Sequence, residues 1–412
     1  MNVTGLPGLS NLHSHAFQRG MAGLAEVRGA SRDRFWTWRE TMYRFVDRLS
    51  PDEVAAIAAM AFAEMLEGGF TRVAEFHYLH HDIDGRPYAN VAEMAEAVAS
   101  AATETGIGLT LLPVFYAHSG FGGAPPDQAQ RRFVNDLAGF ERLIEASGRG
   151  VAGLPDAIVG VAPHSLRAVT REELGAVCAM TTGPVHIHIA EQVREVEDCL
   201  AWSGARPVDL LFDKVEVDRR WCLVHATHMS DAETRRLAKS GAVAGLCPIT
   251  EANLGDGIFP AAAYLAEGGA WGVGSDSNVL IDAAQELRML EYSQRLAERS
   301  RNVMADPAGG STGAAMLRGA LSGGARAAGV GEAAGLAVGQ VADIVALRRP
   351  DGAQTAPVGD RSLDHWIFAS RDRTVDTVWR RGRAVVRDGR HVGRSDIVRR
   401  YARALSRVLD DA

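Results

Sequence analysis

The sequence predicts an α/β fold: a (β/α)8 TIM-type barrel carrying a small β-sandwich domain. Three observations lead there. Short apolar runs alternate with amphipathic helical patterns through roughly the first 330 of the 412 residues. Several of those runs are apolar on both faces, as a strand buried in a parallel sheet must be. Polar residues with chemistry to offer fall at the ends of the runs, where a barrel of this kind places its active site.

The runs lie at residues 8–15, 71–76, 109–115, 158–162, 185–190, 221–225, 242–247 and 270–275. A Gly/Pro-punctuated apolar stretch, residues 3–9, leads into the first. Helix starts are explicit between the runs. Ser50-Pro51-Asp52-Glu53 supplies an N-cap serine, a proline at the first helical position and a glutamate three residues on. Thr170-Arg171-Glu172-Glu173 and Ser230-Asp231-Ala232-Glu233 repeat that capping box. Gly68-Gly69 and Gly241 stand where such helices should stop. Eight strands with helices between them favour a closed barrel. An open doubly wound sheet is the runner-up, weakened because no Gly-x-Gly-x-x-Gly follows a strand.

From about residue 340 the character changes. Residues 341–347, 365–369, 375–380 and 383–386 read as short strands, with turns at Gly382 and Asp388-Gly389. The expected division is a barrel over 5–330, a small β domain over 331–395 and a helical tail over 396–412.

Composition narrows the function classes. Hydrophobic content of 47% and charged content of 23% are ordinary for a soluble globular chain. A formal net charge of −7 argues against a nucleic-acid surface. No basic segment followed by an apolar run opens the chain, and no run approaches the ~18 uninterrupted apolar residues of a membrane span. Cys178, Cys199, Cys222 and Cys247 form no Cys-x-x-Cys and are expected as buried, reduced thiols of a cytoplasmic protein.

The chemistry begins at Asn11-Leu12-His13-Ser14-His15, the end of the first run. Side chains alternate faces along a strand, so His13 and His15 share a face one pleat apart and can reach one point. His188 lies in the fifth run, with Glu191 three residues on; His225 ends the sixth. Asp276 follows the eighth, in Gly274-Ser275-Asp276-Ser277-Asn278. Any one of these histidines alone is more often a core or surface residue. Together, imidazoles and a carboxylate on four strand ends describe a metal site suited to Zn²⁺.

His-x-His on the first strand, histidines on the fifth and sixth and an aspartate on the eighth resemble the amidohydrolase superfamily. Within it, four stretches are similar to the formimidoylglutamate deiminases of histidine degradation. They are Asn11 to Arg19 (NLHSHAFQR), Ala74-Glu75-Phe76-His77-Tyr78, His188-Ile189-Ala190-Glu191-Gln192 and Cys247 to Gly257 (CPITEANLGDG). The resemblance runs from about residue 5 to about residue 395. It implies His13, His15, His188 and Asp276 as ligands of one divalent ion, Zn²⁺ by preference, with His225 outside the ligand set. Binuclear members bridge two ions with a carboxylated lysine or a glutamate near the fourth strand. That strand ends here in Pro163-His164-Ser165-Leu166-Arg167, and the chain's only lysines, Lys214 and Lys239, lie elsewhere.

The implied catalytic residues are Glu191, His225 and Asp276, and the implied substrate, N-formimino-L-glutamate, is a dianion. Its carboxylates need donors, and the planar fork of arginine matches them best. Arg167, after the fourth strand, and Arg39, in the long first loop, are the candidates; the family pattern adds Gln18, Tyr78 and His164. A homodimer is the expected assembly. Members of this family normally carry a β segment before the His-x-His strand, whereas 12 residues precede His13. Either the small domain is left without most of its N-terminal partner strands, exposing an edge, or the start lies upstream of Met1. The enzymatic alternative is a deaminase or chlorohydrolase of an aromatic heterocycle on the same barrel, which leaves Arg39 and Arg167 without a dianionic partner. Cytidine-type deaminases are excluded because the chain has no Pro-Cys-x-x-Cys. A non-enzymatic scaffold should have lost ligands, and this chain has not.

Overall fold

The structure, a computed structural model, describes residues 3–28, 35–331, 335–348, 358–370 and 374–409. Two adjacent strands open the chain and part at once. β1 (Val3–Pro7) and β2 (Leu9–Ser14) are separated by Gly8 alone, yet enter different sheets. A Cβ on Gly8 would lie 2.1 Å from Thr71 Oγ1, so the crossing requires glycine.

β2 pairs in parallel with β3 (Phe70–His77), and β3 with β4 (Gly108–Phe115). β4 then pairs with two short pieces, β5 (Ile158–Val159) and β6 (Ala162–Pro163). A second parallel sheet contains β7 (Val185–Ile189), β8 (Trp221–His225), β9 (Val243–Leu246) and β10 (Ala270–Val273). Parallel bridges link the two sheets at both edges, through Ser14–Asp276 on one side and Val161–Val185 and Ser165–His188 on the other. All eight apolar runs thus contain a parallel strand. The fourth is broken rather than continuous, beside Gly160, where a Cβ would lie 2.3 Å from Pro184 O.

The helices between the strands start and stop as their sequences require. Ser50, Thr170 and Ser230 cap Pro51–Glu67, Arg171–Ala179 and Asp231–Ser240 with complete capping boxes. Each such cap contributes about 1 kcal/mol. Gly68 and Gly241 are the C-caps, Gly241 in the left-handed region at φ 82°. Helix Thr312–Ala327 reaches back to the strand residues furthest from the histidines. Its final carbonyls have no helical partners. Thr110 Oγ1 donates to Ala328 O at 2.7 Å, and His186 Nε2 lies 2.8 Å from Ala327 O.

The small sheet is antiparallel, in the order β1, β11 (Ile344–Arg348), β12 (Val375–Arg380), β13 (Arg383–Arg387) and β14 (Arg390–His391). Two expectations are corrected here. Val3–Pro7, expected as the approach to the first barrel strand, is itself a strand of the small sheet, so the N-terminus supplies it with one partner. Residues 365–369, expected as a strand, are helical and continue the turn Asp360–Asp364. Five mostly apolar residues do not distinguish the two by periodicity, and here Trp366 and Ile367 bury as neighbours on a helix. The tail is helix Arg394–Leu409; Arg394 pairs with Glu64 at 3.2 Å and Glu67 at 3.1 Å on helix Pro51–Glu67. Arg380 of β12 pairs with Asp156 at 2.6 Å and with Asp343, and Arg72 of β3 meets the same Asp156 at 2.9 Å. These ion pairs tie the small sheet to the parallel one.

Candidate active site

The polar residues at the C-terminal ends of the parallel strands converge. His13 Nε2 lies 3.2 Å from His15 Nε2 and 3.0 Å from His188 Nε2. His15 Nδ1 is 3.0 Å from Phe76 O, and His188 Nδ1 is 3.2 Å from His164 O. A carbonyl only accepts, so each Nδ1 carries the proton and each Nε2 presents a lone pair. Asp276 Oδ1 lies 3.4 Å from His13 Nε2 and 3.3 Å from His15 Nε2. One ligand atom from each of His13, His15, His188 and Asp276 falls within 4.8 Å of all the others.

Charge follows from burial. Desolvation pushes His13 down to about 3 and lowers His15 and His188 as well, so these imidazoles are neutral. Burial works against the Asp276 carboxylate, but its hydrogen bond to His13 and the surrounding imidazoles hold it below the usual range. Lone pairs facing one another beside an anion fit a divalent cation, and three imidazole nitrogens with one carboxylate oxygen suit Zn²⁺. His225, Cys247 and Asp276 form a second close set. Burial holds the Cys247 thiol well above its usual range, within an apolar cluster that includes Leu12, Cys222 and Val224, so it offers no thiolate.

Backbone strain and a buried amide network hold Asp276 in place. Asp276 and Asn278 are left-handed, at φ 41° and 55°. Asp276 N donates to His13 O at 3.0 Å, and His15 N to Asp276 O at 2.9 Å. Asn278 Nδ2 donates to Ser14 Oγ at 3.1 Å, His15 O at 3.0 Å and Asp276 O at 3.1 Å. Asn11 Nδ2 donates to Ser275 Oγ at 2.6 Å, and Ser275 N returns a bond to Asn11 Oδ1 at 3.0 Å.

Beside the quartet sits an acid–base group. His225 ends β8 at φ 68°. Its Nε2 is 3.8 Å from Glu191 Oε1 and 4.0 Å from Asp276 Oδ2; its Nδ1 is 3.3 Å from Glu251 Oε1. Burial opposes a charge on His225, but Glu191, Glu251 and Asp276 outweigh it and raise the imidazole to about 10. Burial raises the Glu191 carboxyl to about 7, with His225 pulling the other way.

One pocket contains every residue expected to touch substrate. Gln18, Arg39, Tyr78, His164 and Arg167 line it together with His15, His188, Glu191, His225 and Asp276; His13 lies beneath. Arg39 is not on a loop, as expected, but on helix Phe35–Val46. Its Nε donates to Tyr43 OH at 2.6 Å and its NH2 group to Tyr116 OH at 3.3 Å. Gln130 donates to the same Tyr116 OH at 2.7 Å, and Gln18 to Tyr78 OH at 2.9 Å. Trp38, Met42, Tyr43, Tyr116 and Phe133 also line it without having been singled out, as does Leu254 of the run from Cys247 to Gly257. Tyr116 carried a signal, because it directly follows β4. Glu251 carried one too, inside the run from Cys247 to Gly257, but nothing local assigned it a partner.

Comparison with known proteins follows the same lines. Residues 4–385 match the family model described as "Amidohydrolase family". The chain is 53% identical to a formimidoylglutamate deiminase from Pseudomonas aeruginosa, covering 98% of this chain and 89% of that protein. It is 30% identical to an 8-oxoguanine deaminase of the same species, over 83% of this chain and 74% of the relative. Among solved structures, an amidohydrolase from Brucella melitensis superposes with a TM-score of 0.95 at 56% identity, over 98% of this chain and 90% of that one. A zinc-bound adenosine deaminase from Xanthomonas campestris gives 0.79 at 24% identity, over 98% and 86%, a likeness of fold alone.

Proposed function

This chain belongs to the amidohydrolase family, and on that premise we propose that it hydrolyses N-formimino-L-glutamate to N-formyl-L-glutamate and ammonia, a step of histidine degradation. The observation that carries the reading is the pocket itself, where Arg39 and Arg167 share one space with His15, His188 and Asp276 of the candidate metal quartet and with Glu191 and His225. Arginines suit a dianion at one end, and a carboxylate suits a cationic amidine at the other. We read the two linked parallel sheets as one closed (β/α)8 barrel, with β1 and residues after 331 forming the small β domain and the last helix the tail.

The ligand set we propose is His13, His15, His188 and Asp276 around a single Zn²⁺. Both lysines support one ion rather than two, since Lys214 ends helix Pro207–Lys214 and the exposed Lys239 side chain pairs with Glu267 at 3.2 Å. Such an ion, when bound, lowers the pKa of water towards about 7.

The chain's own residues do the rest. Asp276 takes a proton from the attacking water as its oxygen adds to the imino carbon. Glu191, poised near neutrality, takes the second proton of that water from the hydroxyl of the adduct. It hands this proton to the departing nitrogen of the cationic amidine, while the proton held by Asp276 follows to the released ammonia. The C–N bond breaks, ammonia leaves and a formyl carbonyl remains. His225 donates through Nε2 to the oxygen that gains charge. Arg39 and Arg167 grip the two carboxylates, with Gln18, Tyr78 and His164 as further hydrogen-bond partners. For the assembly we propose a cytoplasmic homodimer; exposed Met289, Tyr292 and Leu296 on helix Ala283–Glu298 offer apolar surface for it. Ammonia release from N-formimino-L-glutamate, set against 8-oxoguanine and other heterocycles, tests the reading. Faster turnover of a heterocycle overturns it.

A further inference from the structure

We propose that Glu251 is a positioning residue that fixes the ring of His225, more through the reach of one oxygen than through its charge. The proposal rests on the reading of His225 as a hydrogen-bond donor to the reacting centre.

Glu251 lies on helix Pro248–Leu254, whose N-cap is Cys247. Its Oε1 accepts from the backbone N–H of Cys247 at 2.9 Å. That bond alone would be ordinary capping of an orphan donor at a helix start. The same oxygen, however, lies 3.3 Å from His225 Nδ1. An oxygen already taking a backbone N–H is an acceptor, so Nδ1 must carry the hydrogen. Nε2 is thereby the nitrogen turned towards Glu191 and Asp276. The ring needs such a tether, because His225 and Ala226 both sit in the left-handed region, at φ 68° and 48°. Neighbouring Thr250 reaches the other side of the site. Its hydroxyl is 2.9 Å from Ser277 Oγ and accepts from Ser277 N at 3.3 Å, in the loop that carries Asp276. The short helix therefore spans two site elements, and Glu251 is its arm towards His225.

The Cys247 N–H gives the proposal a sharp consequence. A glutamine at position 251 could present either its oxygen or its NH2 to His225. The NH2 would oppose the Cys247 N–H, donor against donor, so the amide is forced to turn its oxygen to both groups. Glutamine therefore keeps the geometry and loses only the charge. Aspartate keeps the charge and, one methylene shorter, loses the reach.

The test is steady-state kinetics of the metal-loaded enzyme on N-formimino-L-glutamate, with metal content and melting temperature measured on each variant. Glu251→Asp should lower kcat at least about thirtyfold, within the roughly ten- to hundredfold range typical of groups that orient others, and Glu251→Gln only about threefold, below that range because the orienting oxygen is kept. KM should stay within about twofold in both, since no proposed substrate contact changes. In a His225→Ala background, Glu251→Asp should add almost nothing, because its effect passes through the ring. Additive losses, a glutamine variant as slow as or slower than the aspartate, or wild-type kcat in both overturns the proposal. Wild-type turnover by His225→Ala alone is a different failure: it overturns the role given to His225, and this proposal with it.

Discussion

Replacing Arg167 by methionine removes a charge from a buried site. Arg167 is 9% exposed and shares its pocket with Tyr78, Tyr116 and Phe133. An ion pair shielded in this way is worth more than one at the surface, and truncating one partner strands the other, at about 2–5 kcal/mol. Taking roughly 3 kcal/mol, at 1.36 kcal/mol per tenfold, kcat/KM for N-formimino-L-glutamate should fall at least about a hundredfold. Ammonia release is the assay. Metal content should not change, because Arg167 is outside the proposed ligand set. An analogue lacking one of the two carboxylates separates binding from folding. It should be a poor substrate for the wild type, yet lose much less to one of the substitutions Arg39→Met and Arg167→Met than the full substrate does. That comparison is a double-mutant cycle with the substrate as one partner. Equal slowing of full and truncated substrates by both variants would show that the arginines hold the fold, and the heterocycle reading would regain ground.

Three further outcomes are expected. His15→Ala should lose most of the bound ion by elemental analysis, and two ions per fully active chain would refute the single-metal set. Glu191→Gln should keep its metal and lose about 10²–10⁴ in turnover, the usual range for a general acid–base group; near-normal turnover rules out its proton-carrying role. Burial alone would raise the Asp156 carboxyl, but Arg380 and Arg72 hold it below its usual value. Its contribution to stability is therefore complete above the unfolded carboxylate pKa of about 4 and is lost as pH falls through the lower folded value. Asp156→Asn should accordingly lower the melting temperature at pH 7 and flatten its fall below about pH 4. Parallel melting curves for the two proteins across that range would refute the account.

The close grouping of the candidate metal quartet was legible in the sequence because its geometry is local to strand ends. His13, His15, His188 and Asp276 each sit at or just past an apolar run, and a parallel strand points such residues to one place. The capping boxes at Ser50, Thr170 and Ser230 were legible for the same reason, being written within four residues. What was not legible depends on distant partners. Val3–Pro7 is a strand only because Ile344–Arg348 pairs with it. Trp366 and Ile367 read as strand until their surroundings made them helical. Arg39 could be nominated from its chemistry, but its place on helix Phe35–Val46 was not legible within the long stretch between the first two strands. Glu251 acts on a ring 26 positions earlier, a relation no spacing rule contains.

The seam where Asn11 meets Ser275 joins residues 264 positions apart. On the ribosome that distance is a delay. At 5–20 residues per second, the histidine pair is made roughly 10 to 50 s before Asp276 exists. Within that interval His188 is made as well, but the fourth member of the proposed set, Asp276, is still missing. The site can close only when the last parallel strand has emerged and Asp276 has bridged to Ser14 beside the first. The proposed metal site is therefore completed late in synthesis, long after its His-x-His pair is made.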